Sequence, residues 1–271
     1  MKCSFEMPIP MLLDGDSRKY NDYEYALVSL FDKFPSYYQY YLTQLHAGSE
    51  IFFDISNYTL FDTDIFVEWL INNANSNTNI VTILPNVINN LQDSISQANL
   101  FLTKYKNLPG RKMAVLQGQT IDDLLHCYDA YKTLNVDLYG IPAMIKPFYN
   151  SNPINIMANR QQFIITLIAH DNNIQKKSIH LMECVLPQEF RYYVDTNLDS
   201  YIYSLNTANP IINGINKIRY TKFGLRKKVS SNFEDVITLL DGVNDAIYNI
   251  QMFRRINNLK SNKNNLIKGM I

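Results

Sequence analysis

The chain has 271 residues, 46% hydrophobic and 18% charged, with 25 basic and 25 acidic side chains and a formal net charge of +0. No apolar run approaches the roughly 20 residues that cross a bilayer, and MKCSFEMPIPM, with its acidic residue and two prolines, lacks the apolar core of an export signal. Cys3, Cys127 and Cys184 lie far apart with no CxxC pair, which argues against a zinc site or disulfide framework and for reduced thiols in the cytoplasm.

Short β-rich runs alternate with amphipathic stretches. Strands are expected at 2–7, 25–30, 50–54, 79–84, 112–116, 135–141, 178–183 and 200–205. Helical periodicity falls between them, at 36–47, 63–74, 91–106, 120–133, 160–169 and 187–194. Thr120 with Asp123 three residues on resembles a capping box. From Asn232 the chain reads as one long helix followed by a basic tail, so residues 231–271 form a C-terminal helical segment. No repeat or low-complexity linker divides the sequence, and residues 1–271 are expected to form a single domain.

Strand–helix alternation implies a parallel sheet. About eight strands in one array fit a closed (β/α)8 barrel of the TIM type, with an open doubly wound sheet as the rival. In such a barrel the strand ends carry the chemistry, and here they read Asp54 to Tyr58, Pro85-Asn86, Gln117-Gly118, Ile141-Pro142, Met182-Glu183 and Asn206-Thr207. One carboxylate, several amides, a ring and a thioether suit a planar heterocycle, which needs stacking faces and edge hydrogen bonds. Each alone is equally an ordinary strand cap.

Other candidates are weaker. Glycine is scarce, with 9 residues and no GxGxxG or P-loop, which disfavours a glycine-rich phosphate cradle. His126 and Cys127 are adjacent on a helix and point about 100° apart, so they read as packing rather than a nucleophile pair. His180, in the SIHLM strand, reads as a satisfied buried histidine. Asp14-Gly15-Asp16 reads as a turn, with no further ligands for calcium. In the basic stretch 217–228, Lys217, Arg219, Lys222, Arg226, Lys227 and Lys228 interleave with Tyr220 and Phe223. That pattern suits phosphate contact with some base stacking, and equally a solvated loop.

Taken in order, FFDISNY (52–58), ILPNV (83–87), MAVLQGQT (113–120), LYGIP (138–142), SIHLMECVLP (178–187) and SLNTANP (204–210) resemble the tRNA-guanine transglycosylase family. More closely they resemble its short phage relatives, which insert 7-deazaguanine bases into DNA. The resemblance runs over roughly residues 50–214. It implies a (β/α)8 barrel that exchanges a purine at a glycosidic bond through a covalent sugar–enzyme intermediate, with no cofactor. Asp54 matches the proton-transfer Asp of the family's DSGGF/Y motif, and Tyr58 the aromatic that closes it and stacks on the base. Gln117 and Gly118 match the QG pair that reads the base edge, and Met182 the methionine on the other face. Asn86 and Glu183 stand beside these at their strand ends as further base-binding candidates. Asn206 falls where the nucleophilic Asp stands.

The chain departs from the family in three ways. Ser56 and Asn57 replace the motif's glycines, the CxCxxC and His zinc ligands have no counterpart, and residue 206 is an amide. A carboxylate attacks C1′ because its charge stabilises an oxocarbenium-like transition state, and Asn206 carries none. Three readings stay open at this point: an inactivated enzyme, an enzyme whose nucleophile is another carboxylate (Asp54, or Asp195 or Asp199), or a barrel that binds a base or nucleic acid without exchanging it. The resemblance implies nucleic acid as partner, DNA before tRNA, a 7-deazaguanine such as preQ0 as the incoming base, and host cytoplasm for a phage-encoded protein. It implies no membrane contact and is compatible with a homodimer.

Overall fold

The structure is a computed structural model that describes residues 1–55, 60–75, 78–148, 152–184, 186–225 and 233–259. In chain order the elements are β1 (Lys2–Phe5), α1 (Ile9–Leu13), α2 (Asp16–Tyr20), β2 (Glu24–Leu27), α3 (Pro35–His46), β3 (Glu50–Asp54), α4 (Leu60–Asn73), β4 (Asn79–Ile83) and α5 (Leu91–Lys104). Then come β5 (Arg111–Val115), α6 (Ile121–Thr133), β6 (Leu138–Pro142), α7 (Pro153–His170), β7 (Ile179–Met182), α8 (Glu189–Asp195), β8 (Ile202–Thr207), α9 (Asn209–Ile215) and α10 (Val243–Ile256).

All eight strands are parallel, in the order β1-β8-β7-β6-β5-β4-β3-β2. This is a nearly closed (β/α)8 barrel, as the alternation implies. Between β1 and β2 side chains replace the ladder. Asn21 accepts from the Phe5 N–H and donates to the Phe5 carbonyl, Asp22 accepts from the Cys3 N–H, and the Asp22 N–H donates to the Cys3 carbonyl. Tyr23 then reaches across to the Leu205 carbonyl of β8, at 2.5 Å.

Strand residues, with Tyr23 just before β2, form one apolar cluster, in which Phe52, Val81, Ile83, Met113, Val115 and Leu138 fill the barrel with Tyr23 and Tyr25. The larger cluster lies between the strands and the helices around them. At the N-terminal ends of the strands Glu50 meets Lys2, Arg111 and the Tyr203 hydroxyl, and both cations lie over the Tyr203 ring, at 5.0 and 4.8 Å from its centroid. This closes the end of the barrel opposite to the one where such folds do their chemistry.

Several boundaries move for local reasons. β1 stops at Phe5 and β2 at Leu27, where a 3-10 turn, Val28–Leu30, takes over. Asn135, at φ 54, ends the α6 connection, so β6 begins only at Leu138. α7 starts at Pro153, seven residues before the expected 160, because the Asn152 side chain caps it by accepting from the Ile154 N–H. The Thr120–Asp123 capping box is formed as read.

The long C-terminal helix is corrected: a 3-10 turn, Phe233–Val236, precedes α10, and the two are separated by Gly242 at φ 85. A Cβ there would lie 2.6 Å from the Ile215 Cα, so the chain turns tightly against the end of α9 rather than running straight. All three cysteines are buried thiols. Among the described residues no helix is long and apolar enough to cross a membrane.

Candidate functional site

Asp54, Gln117, Met182 and Asn206 stand at or just beyond the C-terminal ends of β3, β5, β7 and β8, so the parallel order brings them to one mouth of the barrel. Asn206 and Asp54 belong to one group of hydrogen-bonded and stacked side chains and Gln117 to another, while Met182 packs on the barrel-interior cluster.

The first spans β7, β8, β1, β2 and β3. Asn206 is only 3% exposed, and both ends of its amide are engaged. Its Nδ2 lies 2.7 Å from Glu6 Oε1 and its Oδ1 lies 3.0 Å from His180 Nε2, while His180 Nδ1 lies 2.8 Å from Ser204 Oγ. The Glu6 carboxylate can only accept, so Asn206 presents its NH2 to it and its carbonyl to the imidazole. His180 therefore donates from Nε2 and accepts the Ser204 hydroxyl at Nδ1. Neutrality of the ring agrees with this tautomer. Burial pushes His180 down to about 3, and the Arg160 cation adds to that depression against the Asn206 bond, which raises it. The ring packs parallel to Tyr25 (8°, centroids 6.2 Å) and against Phe52 and Tyr23.

Tyr25 carries the group on to β3. Its phenol, 2% exposed, donates to Asp54 Oδ2 at 2.7 Å. Burial, followed by the negative charges of Asp54 and Glu6, drives this phenol well above its ordinary value, so it stays a donor. The mouth thus holds two half-buried carboxylates, Glu6 after β1 and Asp54 at the end of β3, on either side of the strand that carries Tyr25.

The second group lies over β4 and β5. Gln117, 2% exposed, donates from Nε2 to Asn86 Oδ1 at 2.9 Å and accepts the Asn89 N–H at 3.0 Å. Two expected base-reading amides therefore bind each other and pin the loop after β4. Gly118 has a packing reason to be glycine, since a Cβ would sit 2.4 Å from the Asp123 Cβ at the start of α6. Met182 is half-buried and packs on the barrel-interior cluster. Glu183 is exposed with φ 56, and its carbonyl accepts from Arg160 Nη2 at 2.8 Å.

Arg160, fully buried on α7, also donates to the Met182 and Ile141 carbonyls and to Glu189, at 2.8 Å from Nε to Oε1. It ties the ends of β6 and β7 to α8, and the Glu189 charge holds its guanidinium further up despite burial. Tyr58, Arg226, Lys227 and Lys228 lie outside the described residues.

The basic stretch is less free than it reads. Lys217 pairs with Asp241 and Arg219 with Asp245, each at 2.6 Å, and Arg219 also lies over the Tyr248 ring. Tyr220 is corrected outright as a stacking ring: it is 2% exposed, because the Asn249 side chain accepts its backbone N–H and turns the ring into the core. Lys222 lies over Phe223, which is 76% exposed and remains the stretch's surface ring.

Glu6, Tyr25 and Arg160 were not singled out from sequence, and His180 was read only as a satisfied core residue. Glu6 had a signal. It is the first residue beyond β1, and the rule that picked out Asp54 picks it out once β1 ends at Phe5 instead of running to 7. Among the described residues no group of three or more His, Cys, Asp or Glu has an arrangement that could hold a metal. Fold and site together define an eight-stranded parallel barrel with a carboxylate-bearing C-terminal mouth. No protein-family model matches the chain, and no curated protein matches it significantly.

Proposed function

We propose that the chain exchanges a base at an N-glycosidic bond in nucleic acid, replacing guanine with a 7-deazaguanine such as preQ0, DNA before tRNA. The observation that carries the reading is Asp54: a half-buried carboxylate at a barrel strand end, held by the buried Tyr25 phenol at 2.7 Å. That is where the resemblance calls for a proton-transfer group, and the hydrogen bond fixes its direction. The half-buried Met182 thioether at the same mouth supplies an apolar face for a planar base. Reaching C1′ requires the base to leave its stack.

A second reading, a barrel that binds a base without exchanging it, is favoured by one observation: the amide at 206 is uncharged and engaged at both ends. The two separate in one experiment, incubation with labelled preQ0 and either guanine-containing DNA or tRNA. Incorporation is expected, and Asp54→Asn should lower it by about 10²-fold or more. Absence of incorporation into either acceptor, with base binding retained, would establish the binding barrel instead.

A further inference from the structure

We propose that Glu6 is the nucleophilic carboxylate of this mouth and that Asn206 is the residue that positions it. This rests on the base-exchange reading. β1 and β8 are neighbours, with Ser4 opposite Asn206 and Phe5 opposite Thr207, and the Glu6 N–H donates to the Thr207 carbonyl at 3.2 Å. Glu6 therefore leaves the sheet beside Asn206, and its carboxylate oxygen Oε1 lies 2.7 Å from the amide nitrogen.

Exposure separates the two residues. Asn206 is 3% exposed and linked to His180 behind it, whereas Glu6 is half-buried and so reaches the mouth. The chain Ser204, His180, Asn206, Glu6 consists of a hydroxyl, a neutral imidazole, an amide and a carboxylate, each donating to the next. Its last donor fits a carboxylate. An Asp at 206 would instead set two carboxylates against each other across 2.7 Å, so an amide at 206 is what a charge on Glu6 requires.

In the reaction a Glu6 oxygen bonds to C1′ as the C1′–N9 bond of guanine breaks. The electron pair of that bond goes to the purine, which takes a proton from the Asp54 carboxyl. The incoming 7-deazaguanine then gives its N9 proton back to Asp54 and bonds to C1′ through N9. The Glu6–C1′ ester bond breaks and the carboxylate is restored. Charge developing on the sugar lies near Glu6, and the Asn206 bond keeps that oxygen in line.

The test compares the parent with Glu6→Gln, Asn206→Ala and the swap Glu6→Gln/Asn206→Asp, measuring preQ0 incorporation, base affinity and the peptide that carries a trapped sugar adduct. Glu6→Gln should lose exchange by about 10³-fold or more, with base affinity kept within about twofold. Asn206→Ala should lower kcat about tenfold without raising KM in proportion. The swap, which leaves Gln at 6 and puts the carboxylate at the buried position 206, should stay as inactive as Glu6→Gln, and recovery in the swap overturns the assignment. The adduct should map to Glu6. An active Glu6→Gln protein, or an adduct on Asp54, overturns the assignment and leaves base exchange standing. An inactive parent removes the base-exchange reading and the assignment with it. Should Glu6→Gln fail to fold, Glu6→Asp serves: it should slow exchange and keep the adduct at position 6, and an adduct elsewhere overturns the proposal.

Discussion

His180 makes the stability of this barrel depend on pH in a way that one substitution isolates. The imidazole is fully buried among Tyr23, Tyr25 and Phe52, and burial lowers it from 6.5 in an unfolded chain to about 3. A group depressed on folding contributes its stability above the unfolded value and loses it as the pH falls toward the folded one. Below about pH 6.5 the unfolded chain therefore takes up a proton that the folded barrel refuses, at about 1.4 kcal/mol per pH unit. From about pH 7.5 to about pH 5 the loss is about 2 kcal/mol. Other groups titrate too, and Glu24, raised by burial, works in the opposite direction. These contributions are common to the parent and His180→Gln, which cannot titrate at 180, and they cancel in the difference. Urea midpoints for both proteins at the two pH values measure it. The parent should lose about 2 kcal/mol more than the variant over that window, and curves parallel to within about 0.5 kcal/mol would refute the neutral, donating imidazole.

Arg160→Met should cost about 3–5 kcal/mol, since it leaves the buried Glu189 charge without a cation, with the Tyr193 hydroxyl still donating to it. Arg160→Met/Glu189→Leu should cost less than the single variant, and urea unfolding of both reads the difference; a double variant worse than the single one would mean that the guanidinium's bonds to the β6 and β7 ends outweigh the pair. Gly118→Ala should cost about 1–3 kcal/mol, because the new methyl meets the Asp123 Cβ at 2.4 Å and the start of α6 must shift. A melting temperature unchanged from the parent would show that this approach is looser than it looks.

Much of the architecture is a local property of the chain. The short apolar runs of IFFD or MAVL, the helical period that follows, and the Thr120–Asp123 cap all act within a dozen residues, so eight alternations point to a parallel barrel before an open sheet, with its strand ends as the working edge. Asp54 and Asn206 were legible for that reason. What each strand-end residue touches was not legible, because Asn206 meets its partners 26 and 200 positions away in the sequence, at His180 and Glu6. Glu6 was hidden by a strand boundary displaced by two residues, and Tyr25 by the ordinary look of an aromatic in a strand. The same limit applies to charge. Lys217 and Arg219 look free in sequence until the turn at Gly242 brings Asp241 and Asp245 against them, and Tyr220 looks like a surface ring until Asn249 turns it inward. Periodicity is written in neighbouring residues, whereas a side chain's exposure and partner depend on which distant strand or helix packs beside it, and only the folded barrel decides that.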